Sequence, residues 1–226
     1  MKIIELEEVD STNEYCKRLK IEQNVIVTAK RQTAGKGTKG RSFSSEDGGL
    51  YISVMRTYEN FAAERAFEIL INSCVAVCKT LEHFGINPQI RWANDVLVSG
   101  KKICGTLIEN TFSGGKIVRS IVGMGVNVNN SLPEDLSEIA TTMHAIKNKT
   151  FNVSEVFAVL AENLQKQFSI NDYKSYTGWL GGKVRVKTAE NEFTATAIDV
   201  EEDGRLLIEA DGKRHKISSA EVSLRL

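Results

Sequence analysis

The chain lacks long apolar runs, is poor in proline, and has no cysteine pattern typical of a metal site. It contains 2 prolines, 4 cysteines and 3 histidines in 226 residues. No apolar run approaches the roughly 20 residues that a membrane helix needs. Cys16, Cys74, Cys78 and Cys104 form no Cys-x-x-Cys pair, and the histidines are scattered. We therefore expect no protein-held metal, no disulfide framework, no Cys–His catalytic pair and no membrane partner.

The chain also lacks an excess of charge of either sign. Lys+Arg and Asp+Glu each number 29, so the formal net charge is zero, which argues against duplex DNA binding as the main task. A strand-like segment begins at the N-terminus, so we expect no signal peptide, transit peptide or helix-turn-helix ahead of it. We expect a reduced, cytoplasmic protein without a nucleic-acid partner. With 42% hydrophobic residues, one main domain can bury a core.

Apolar periodicity predicts an α+β fold in which a mixed β-sheet packs with helices. Strands are predicted over residues 2–9, 25–29, 50–55, 90–98, 102–110 and 117–128. Helices are predicted over residues 11–20, 61–84 and 153–168. The first of these helices begins with Ser11-x-x-Glu14, the pattern of a capping box.

A glycine-rich break near residue 180 predicts a domain boundary. The short alternating segments that follow are joined by hairpin-type turns, so they predict a small C-terminal β-barrel. These strands are predicted over residues 183–187, 192–201, 205–210, 213–218 and 222–226. The sequence thus predicts two domains, 1–180 and 181–226.

A cationic glycine loop, QTAGKGTKGRSFSSEDGG, spans residues 32–49 between two predicted strands. Its glycines allow close approach of backbone to a ligand, and its clustered cations favour an anion. A dinucleotide site would need a helix after the glycines, but a strand follows here. The Gly-Lys-Ser/Thr of a Walker loop and the protein-kinase motifs are absent. The loop therefore predicts phosphate handling without identifying the reaction.

Three other segments interrupt apolar strands with polar residues or glycines: RWAND at 91–95, KKICG at 101–105 and GMGVNVN at 123–129. Each has a purely structural explanation. Trp92 could fill the core, Lys102 could be a solvated hairpin residue, and Gly123 and Gly125 could relieve crowding against a helix. Their occurrence together favours a functional site, because residues that depart from the apolar pattern of a strand are expected where such a site is built.

Six motifs in this order, DSTNEY, QTAGKGTKGR, GGLYIS, RWAND, KKICGTLIE and GMGVNVNN, closely resemble those of biotin protein ligases, also called biotin–[acetyl-CoA-carboxylase] ligases. The resemblance covers nearly the whole chain, including the ending AEVSLRL. It is to the form without an N-terminal DNA-binding domain. It implies a class II synthetase-like catalytic domain of the biotin/lipoate ligase type and a small SH3-like C-terminal barrel.

The resemblance implies a two-step ligase reaction. Biotin and ATP, the latter with Mg²⁺, give biotinyl-5′-AMP and pyrophosphate, and a lysine of a biotin carboxyl carrier domain then receives the biotin. The enzyme needs no nucleophile of its own, so its task is positioning and charge stabilisation. The carboxylase that supplies the carrier domain is not identified, and the resemblance leaves open whether the protein is a homodimer.

Site residues follow from the motifs that match the family. The catalytic residues implied are Lys102, Arg41 and Asp95. The biotin-binding residues implied are Ser11, Thr12, Asn13, Gln32, Gly35, Lys36, Gly37, Thr38, Lys102 and Gly105. The nucleotide-binding residues implied are Lys36, Arg41, Phe43, Asn94 and Asn127. Lys102 is expected to bridge the biotin carboxylate and the α-phosphate.

Three alternatives stay open at this point. A lipoate or octanoate ligase shares the fold class and the adenylation logic, but its usual R-R-x-S-G-G-G loop is absent. A non-catalytic biotin-binding module would retain the pocket, but Lys102 and the cationic loop argue against it. A biotin-responsive repressor is disfavoured by the lack of a DNA-binding domain and of net positive charge.

The loop departs from the family pattern G-R-G-R-x-G-R at two positions, where this chain has Lys36 and Thr38. Phe43 stands where the family usually has tryptophan, and Ala93 replaces a proline. Lysine is a point charge and threonine is neutral, so bidentate phosphate contacts are lost at both loop positions. We expect the adenylate to be held less tightly than in arginine-rich relatives.

A Thr38→Arg variant tests this expectation. The new guanidinium adds a charge-assisted hydrogen bond to the adenylate, which should slow its dissociation by about tenfold. The dissociation rate of biotinyl-5′-AMP would be measured by rapid dilution for this variant and for the unaltered chain. An unchanged rate would contradict the hypothesis.

Overall fold

The computed structural model describes residues 1–20, 23–188, 191–219 and 223–225. A seven-stranded sheet forms the first part of the chain, in the order β1-β2-β3-β7-β6-β5-β4. Its strands are β1 Lys2–Val9, β2 Val25–Gln32, β3 Leu50–Ala62, β4 Gln89–Arg91, β5 Asp95–Val98, β6 Lys101–Ser113 and β7 Lys116–Val126. The β1 and β2 strands are parallel and the other neighbours are antiparallel. The predicted mixed sheet is confirmed.

Helices cover both faces of this sheet. They are α1 Thr12–Arg18, α2 Ala66–His83, α3 Met143–Lys147, α4 Val153–Asn163 and α5 Ile170–Ser175. Val54 of β3 belongs to the large core with α2, whereas Met55 belongs to a smaller core with Cys16 of α1. Both faces of β3 are therefore buried over Leu50–Met55, which is why that segment reads as a continuous apolar run.

A second, antiparallel sheet has the order β11-β10-β9-β8-β12. Its strands are β8 Lys183–Lys187, β9 Glu192–Val200, β10 Leu206–Ala210, β11 Lys213–Ile217 and β12 Ser223–Arg225. It fits the SH3-like description, but it is an open sheet in the described residues, because β11 and β12 each have one neighbour. The ends of the predicted strand over 222–226 lie outside those residues.

The second sheet shares the main core with the first, since Val186 and Leu206 are fully buried within it. Trp92 donates from Nε1 to the carbonyl of Gly204 at 2.9 Å, which joins the β4–β5 connection to the β9–β10 connection. Gly204 has φ +86°, and a Cβ there would lie 2.5 Å from Cδ2 of Phe67, so the contact requires glycine. The division into domains 1–180 and 181–226 stays a prediction.

Four local predictions need correction. The helix expected over 61–84 begins at Ala66, because Phe61 still pairs with Ile117 in the sheet. The strand expected over 90–98 is a short hairpin of β4 and β5, in which Arg91 faces Asp95. The helix expected over 153–168 ends at Asn163.

The predicted capping box at α1 is also wrong. Ser11 is the N-cap residue, but its side chain makes no capping hydrogen bond. The N–H of Thr12 instead donates to Oε1 of Gln32, 2.8 Å away. A side chain from β2 thus takes the place of a local cap. No helix within the described ranges is long and apolar enough to cross a membrane.

The contact between α4 and α2 generates a stability prediction. Leu160 of α4 is fully buried in the main core. A Leu160→Ala substitution should lower the free energy of unfolding by about 2–5 kcal/mol, through lost apolar burial and the cavity left behind. Urea denaturation would measure it. Glu162→Ala, on an exposed face of the same helix, should change stability by less than about 0.5 kcal/mol; equal effects would contradict the packing described here.

Candidate functional site

A pocket opens where the start of α1, the glycine loop and strands β6 and β7 meet. Most of the sequence-predicted site residues line it. They are Ser11, Thr12, Asn13, Gln32, Lys36, Gly37, Thr38, Phe43, Asn94, Lys102 and Gly105. Ile52, Thr106, Leu107, Gly123, Met124 and Gly125 complete the lining. Motifs separated by about 100 residues in the sequence are therefore brought to one place.

One end of the pocket is a wall of hydrogen-bonding side chains. The N–H and the hydroxyl of Thr12 both donate to Oε1 of Gln32, at 2.8 and 3.1 Å. Gln32 donates in turn from Nε2 to Oγ of Ser45 at 2.8 Å. These contacts fix the amide of Gln32, so the wall is already organised for a polar ligand.

Ser53 supports this wall without itself lining the pocket, and the sequence did not predict it. Its fully buried hydroxyl lies 2.7 Å from Oγ1 of Thr12 and 2.5 Å from Oδ1 of Asn13. A single hydroxyl proton can serve only one of these acceptors at a time. The signal in the sequence was a lone serine in the apolar run LYISVM.

Glycines form the floor of the pocket. Gly105 on β6 and Gly125 on β7 face each other in register. A Cβ on Gly105 would lie 2.8 Å from Nζ of Lys102, and one on Gly125 would lie 2.5 Å from Cε1 of Phe43. A Cβ on Gly123 would collide with Oδ1 of Asn13. The absence of side chains therefore brings Lys102, Phe43 and Asn13 close to the strands.

The end of the pocket at Lys102 is cationic. Nζ of Lys102 and Nη2 of Arg91 each lie 2.6 Å from the carboxylate of Asp95, which is 9% exposed. Burial raises the pKa of Asp95, but Lys102 and Arg91 outweigh burial and hold it below its usual value. Two cations and one anion leave one net positive charge at this end.

The position of Lys102 is fixed through its backbone as well. Its N–H donates to the carbonyl of Ile139 at 2.8 Å, and its own carbonyl accepts from Thr141 N–H at 2.9 Å. Asn94, at the same end, donates from Nδ2 to the carbonyl of Thr106 at 2.8 Å. Lys102 and Asn94 are thus held by backbone groups of neighbouring segments.

The glycine loop lies folded beside the pocket. Gly37 N–H donates to the carbonyl of Arg41 at 2.7 Å, and Arg41 donates from Nη2 to Oγ1 of Thr38 at 3.1 Å. Nζ of Lys36 lies 2.6 Å from Oε1 of Glu14 on α1. Hydrogen bonds from Lys17 and Lys36 lower the pKa of Glu14. Two of the cations of the loop are therefore engaged with the protein itself.

Four predicted residues do not line the pocket. Arg41 is exposed, and Gly35 packs against the carbonyl of Phe43 and against Ser45. Asp95 contacts Nζ of Lys102 but does not itself line the pocket. Asn127 is 4% exposed and donates from Nδ2 to the carbonyl of Thr141 at 3.1 Å. Their assigned roles in binding and catalysis stay predictions.

No described group of three or more His, Cys, Asp or Glu side chains is placed to hold a metal ion. The four cysteines are buried and free. Burial raises the pKa of Cys16 and of Cys74 to about 12, so these thiols carry no nucleophilic character near neutral pH. The chemistry of the site rests on cations, amides and hydroxyls.

Two family profiles match the chain. The profile of the Biotin/lipoate A/B protein ligase family matches residues 6–127, and that of the Biotin protein ligase C terminal domain matches residues 180–225. The structure of a biotin protein ligase from Aquifex aeolicus in complex with biotin and ATP superimposes with a TM-score of 0.80. It is 33% identical in sequence, and the match covers 99% of this chain and 98% of that one.

Curated relatives give the same assignment. The bifunctional ligase/repressor BirA of Bacillus subtilis is 28% identical over 89% of this chain, which spans 66% of the length of that relative. The biotin–[acetyl-CoA-carboxylase] ligase of Paracoccus denitrificans is 25% identical over 96% of this chain and 98% of its own length. On its sequence profiles, its fold and its relatives, the chain belongs to the biotin/lipoate A/B protein ligase family.

Proposed function

We propose that this protein joins biotin to a lysine of a biotin carboxyl carrier domain, using ATP. The observation that carries the proposal is the arrangement of one pocket. Thr12 and Gln32 form its hydrogen-bonding wall, and Asn13 lies against Gly123 of β7. Phe43 lies against Gly125, two residues further along β7, and Lys102 lies against Gly105, the partner of Gly125 on β6. Biotin has a polar ureido head, an apolar body and a terminal carboxylate in the same order.

In the first step, a carboxylate oxygen of biotin attacks the α-phosphorus of ATP. A carbon–oxygen–phosphorus anhydride forms, and the bond to the pyrophosphate oxygen breaks. Two anions must approach each other, so a fixed cation that contacts both lowers the barrier. Lys102 is proposed for this role because it lines the pocket and its ammonium group belongs to a cluster with one net positive charge.

The loop cations are proposed to exchange their present partners for phosphate oxygens. Lys36 would leave Glu14, and Arg41 would leave Thr38, when biotin and ATP occupy the site. Phe43 is proposed to contact the adenine, which its ring can do by stacking. Asn94 and Asn127 are proposed as further nucleotide contacts.

In the second step, the amine of the carrier lysine attacks the carbonyl carbon of the anhydride. An amide forms, AMP leaves with the bridging oxygen, and the proton of the amine passes to water. Asp95 faces two cations and its pKa is lowered, so it is a weak base at neutral pH. We propose that it acts chiefly by orienting Lys102.

Mg²⁺ is proposed to arrive bound to ATP, as part of the substrate. Such an ion would be held mainly by the nucleotide and by water, and would supply positive charge at the phosphates. The carrier domain of a carboxylase is the proposed protein partner, and the cytoplasm the proposed location. Lipoate or octanoate ligation is the alternative within the family, and biotin transfer distinguishes the two.

A Lys102→Ala variant tests the proposed reaction. Loss of the bridging cation should lower kcat for biotin adenylation by about 100- to 1,000-fold. Pyrophosphate release and the intact mass of a carrier domain would be measured with Mg-ATP and biotin. Lys101→Ala is the matched control, because Lys101 points to the carbonyl of Ser137, and it should retain activity. A carrier mass gain with lipoate but not with biotin would refute the proposal.

An Asp95→Asn variant tests the charge cluster through its pH dependence. Because the folded-state pKa of Asp95 is lowered, its contribution to stability is present above about pH 4 and is lost as pH falls through the folded-state pKa. At pH 7 the variant should be less stable by about 1–3 kcal/mol, and the difference should shrink well below pH 4. Urea denaturation at several pH values would measure this; a constant difference would contradict the role of ionised Asp95.

A further inference from the structure

A chain of ion pairs links the glycine loop to an amide in the pocket wall. Lys36 contacts Glu14 at 2.6 Å, and Lys17 contacts the same Glu14 oxygen at 2.8 Å. Lys17 also contacts Oε1 of Glu109 at 2.6 Å. The other oxygen of Glu109 accepts from Nδ2 of Asn13 at 2.8 Å. Glu14, Lys17 and Glu109 all lie outside the pocket lining.

The Glu109 carboxylate determines which way the Asn13 amide faces. An amide can be turned over so that its nitrogen and oxygen exchange places, but an ionised carboxylate only accepts hydrogen bonds. The nitrogen of Asn13 must therefore face Glu109, and its oxygen lies over Gly123 beside the hydroxyl of Ser53. Asn13 is 3% exposed, so water offers little competition for this orientation.

We propose that Glu109, held by Lys17, is a positioning residue for biotin recognition: it fixes the Asn13 amide so that Oδ1 accepts a hydrogen bond from a ureido N–H. This inference rests on the proposed function. The Asn13 oxygen has a second lone pair besides the one directed to Ser53. Without Glu109 the Asn13 amide could turn over, so that its NH2 group would face the ureido N–H. Two donors cannot form a hydrogen bond, and both would be left poorly paired.

The geometry also explains why the neutral amide of Asn13 is paired with the charged Lys17–Glu109 pair. Lys17 contacts one oxygen of Glu109 and leaves the other for Asn13, so the carboxylate is held at both ends. Glu109 lies on β6 and Asn13 on α1, 96 positions apart in the sequence. The pair thus fixes α1 against the strand that also carries Lys102 and Gly105.

The test compares biotin binding to the full chain and to Glu109→Ala by titration calorimetry. The variant should bind biotin about tenfold more weakly, the effect of losing one well-oriented hydrogen bond. The kcat for adenylation at saturating biotin should change by less than about threefold, because the contact is the same in ground and transition states. Glu109→Gln retains a carbonyl acceptor for Asn13, so its affinity for biotin should lie between those of the unaltered chain and Glu109→Ala.

A double-mutant cycle separates positioning from damage to the fold. If Glu109 acts through Asn13, then Glu109→Ala should weaken binding by less than about twofold in an Asn13→Ala background. Glu82→Ala is the matched control, since it removes a carboxylate from another lysine pair, with Lys79, outside the site. It should leave biotin binding unchanged.

Several outcomes overturn the inference. Unchanged binding in Glu109→Ala, or a full tenfold loss that persists in the Asn13→Ala background, shows that Glu109 does not act through Asn13. If Glu109→Ala does not fold, Glu109→Gln carries the same test within the cycle. Failure of the unaltered chain to bind biotin would instead refute the proposed function, and the inference would fail with it.

Discussion

The site depends on one buried carboxylate that two cations share. Asp95 can remain ionised in its buried position because Arg91 and Lys102 each approach it at 2.6 Å, whereas an unpaired charge there would be strongly unfavourable. Arg91 and Asp95 face each other across the β4–β5 hairpin, and Lys102 lies on the neighbouring β6. The same contacts that satisfy Asp95 therefore place the Lys102 ammonium group at the end of the pocket.

Much of this site could be predicted because its residues interrupt the apolar pattern of the strands that carry them. Glycines and polar side chains interrupt apolar runs at the RWAND, KKICG and GMGVNVN segments, and register explains why. Gly105 faces Gly125, and Asp95 faces Gly105 on the other side, so three sequence anomalies are neighbours in the sheet. The mixed sheet was also predictable, since its periodicity is local.

Features that depend on long-range contacts were not predictable. Gln32 caps α1 from a neighbouring strand, and Glu109 reaches Asn13 across 96 residues; neither contact leaves a local pattern. The helix predicted over 61–84 begins late because pairing of Phe61 with β7 overrides its helical periodicity. Arg41 and Asn127 match motifs of the family, yet they lie outside the pocket lining, so a matching motif does not by itself place a side chain against the pocket.

The cations of the glycine loop are held by partners both near and far in the sequence. Three cations close together would repel one another, but Lys36 is paired with Glu14, and Arg41 is bonded to Thr38. A lysine is a point charge, so Lys36 can exchange a carboxylate for a phosphate without a demanding geometry, whereas an arginine fork would hold Glu14 more firmly. The threonine that replaces an arginine provides an acceptor for Arg41. The two departures from the arginine-rich pattern are thus matched by contacts within this chain, which keep the loop folded beside the pocket.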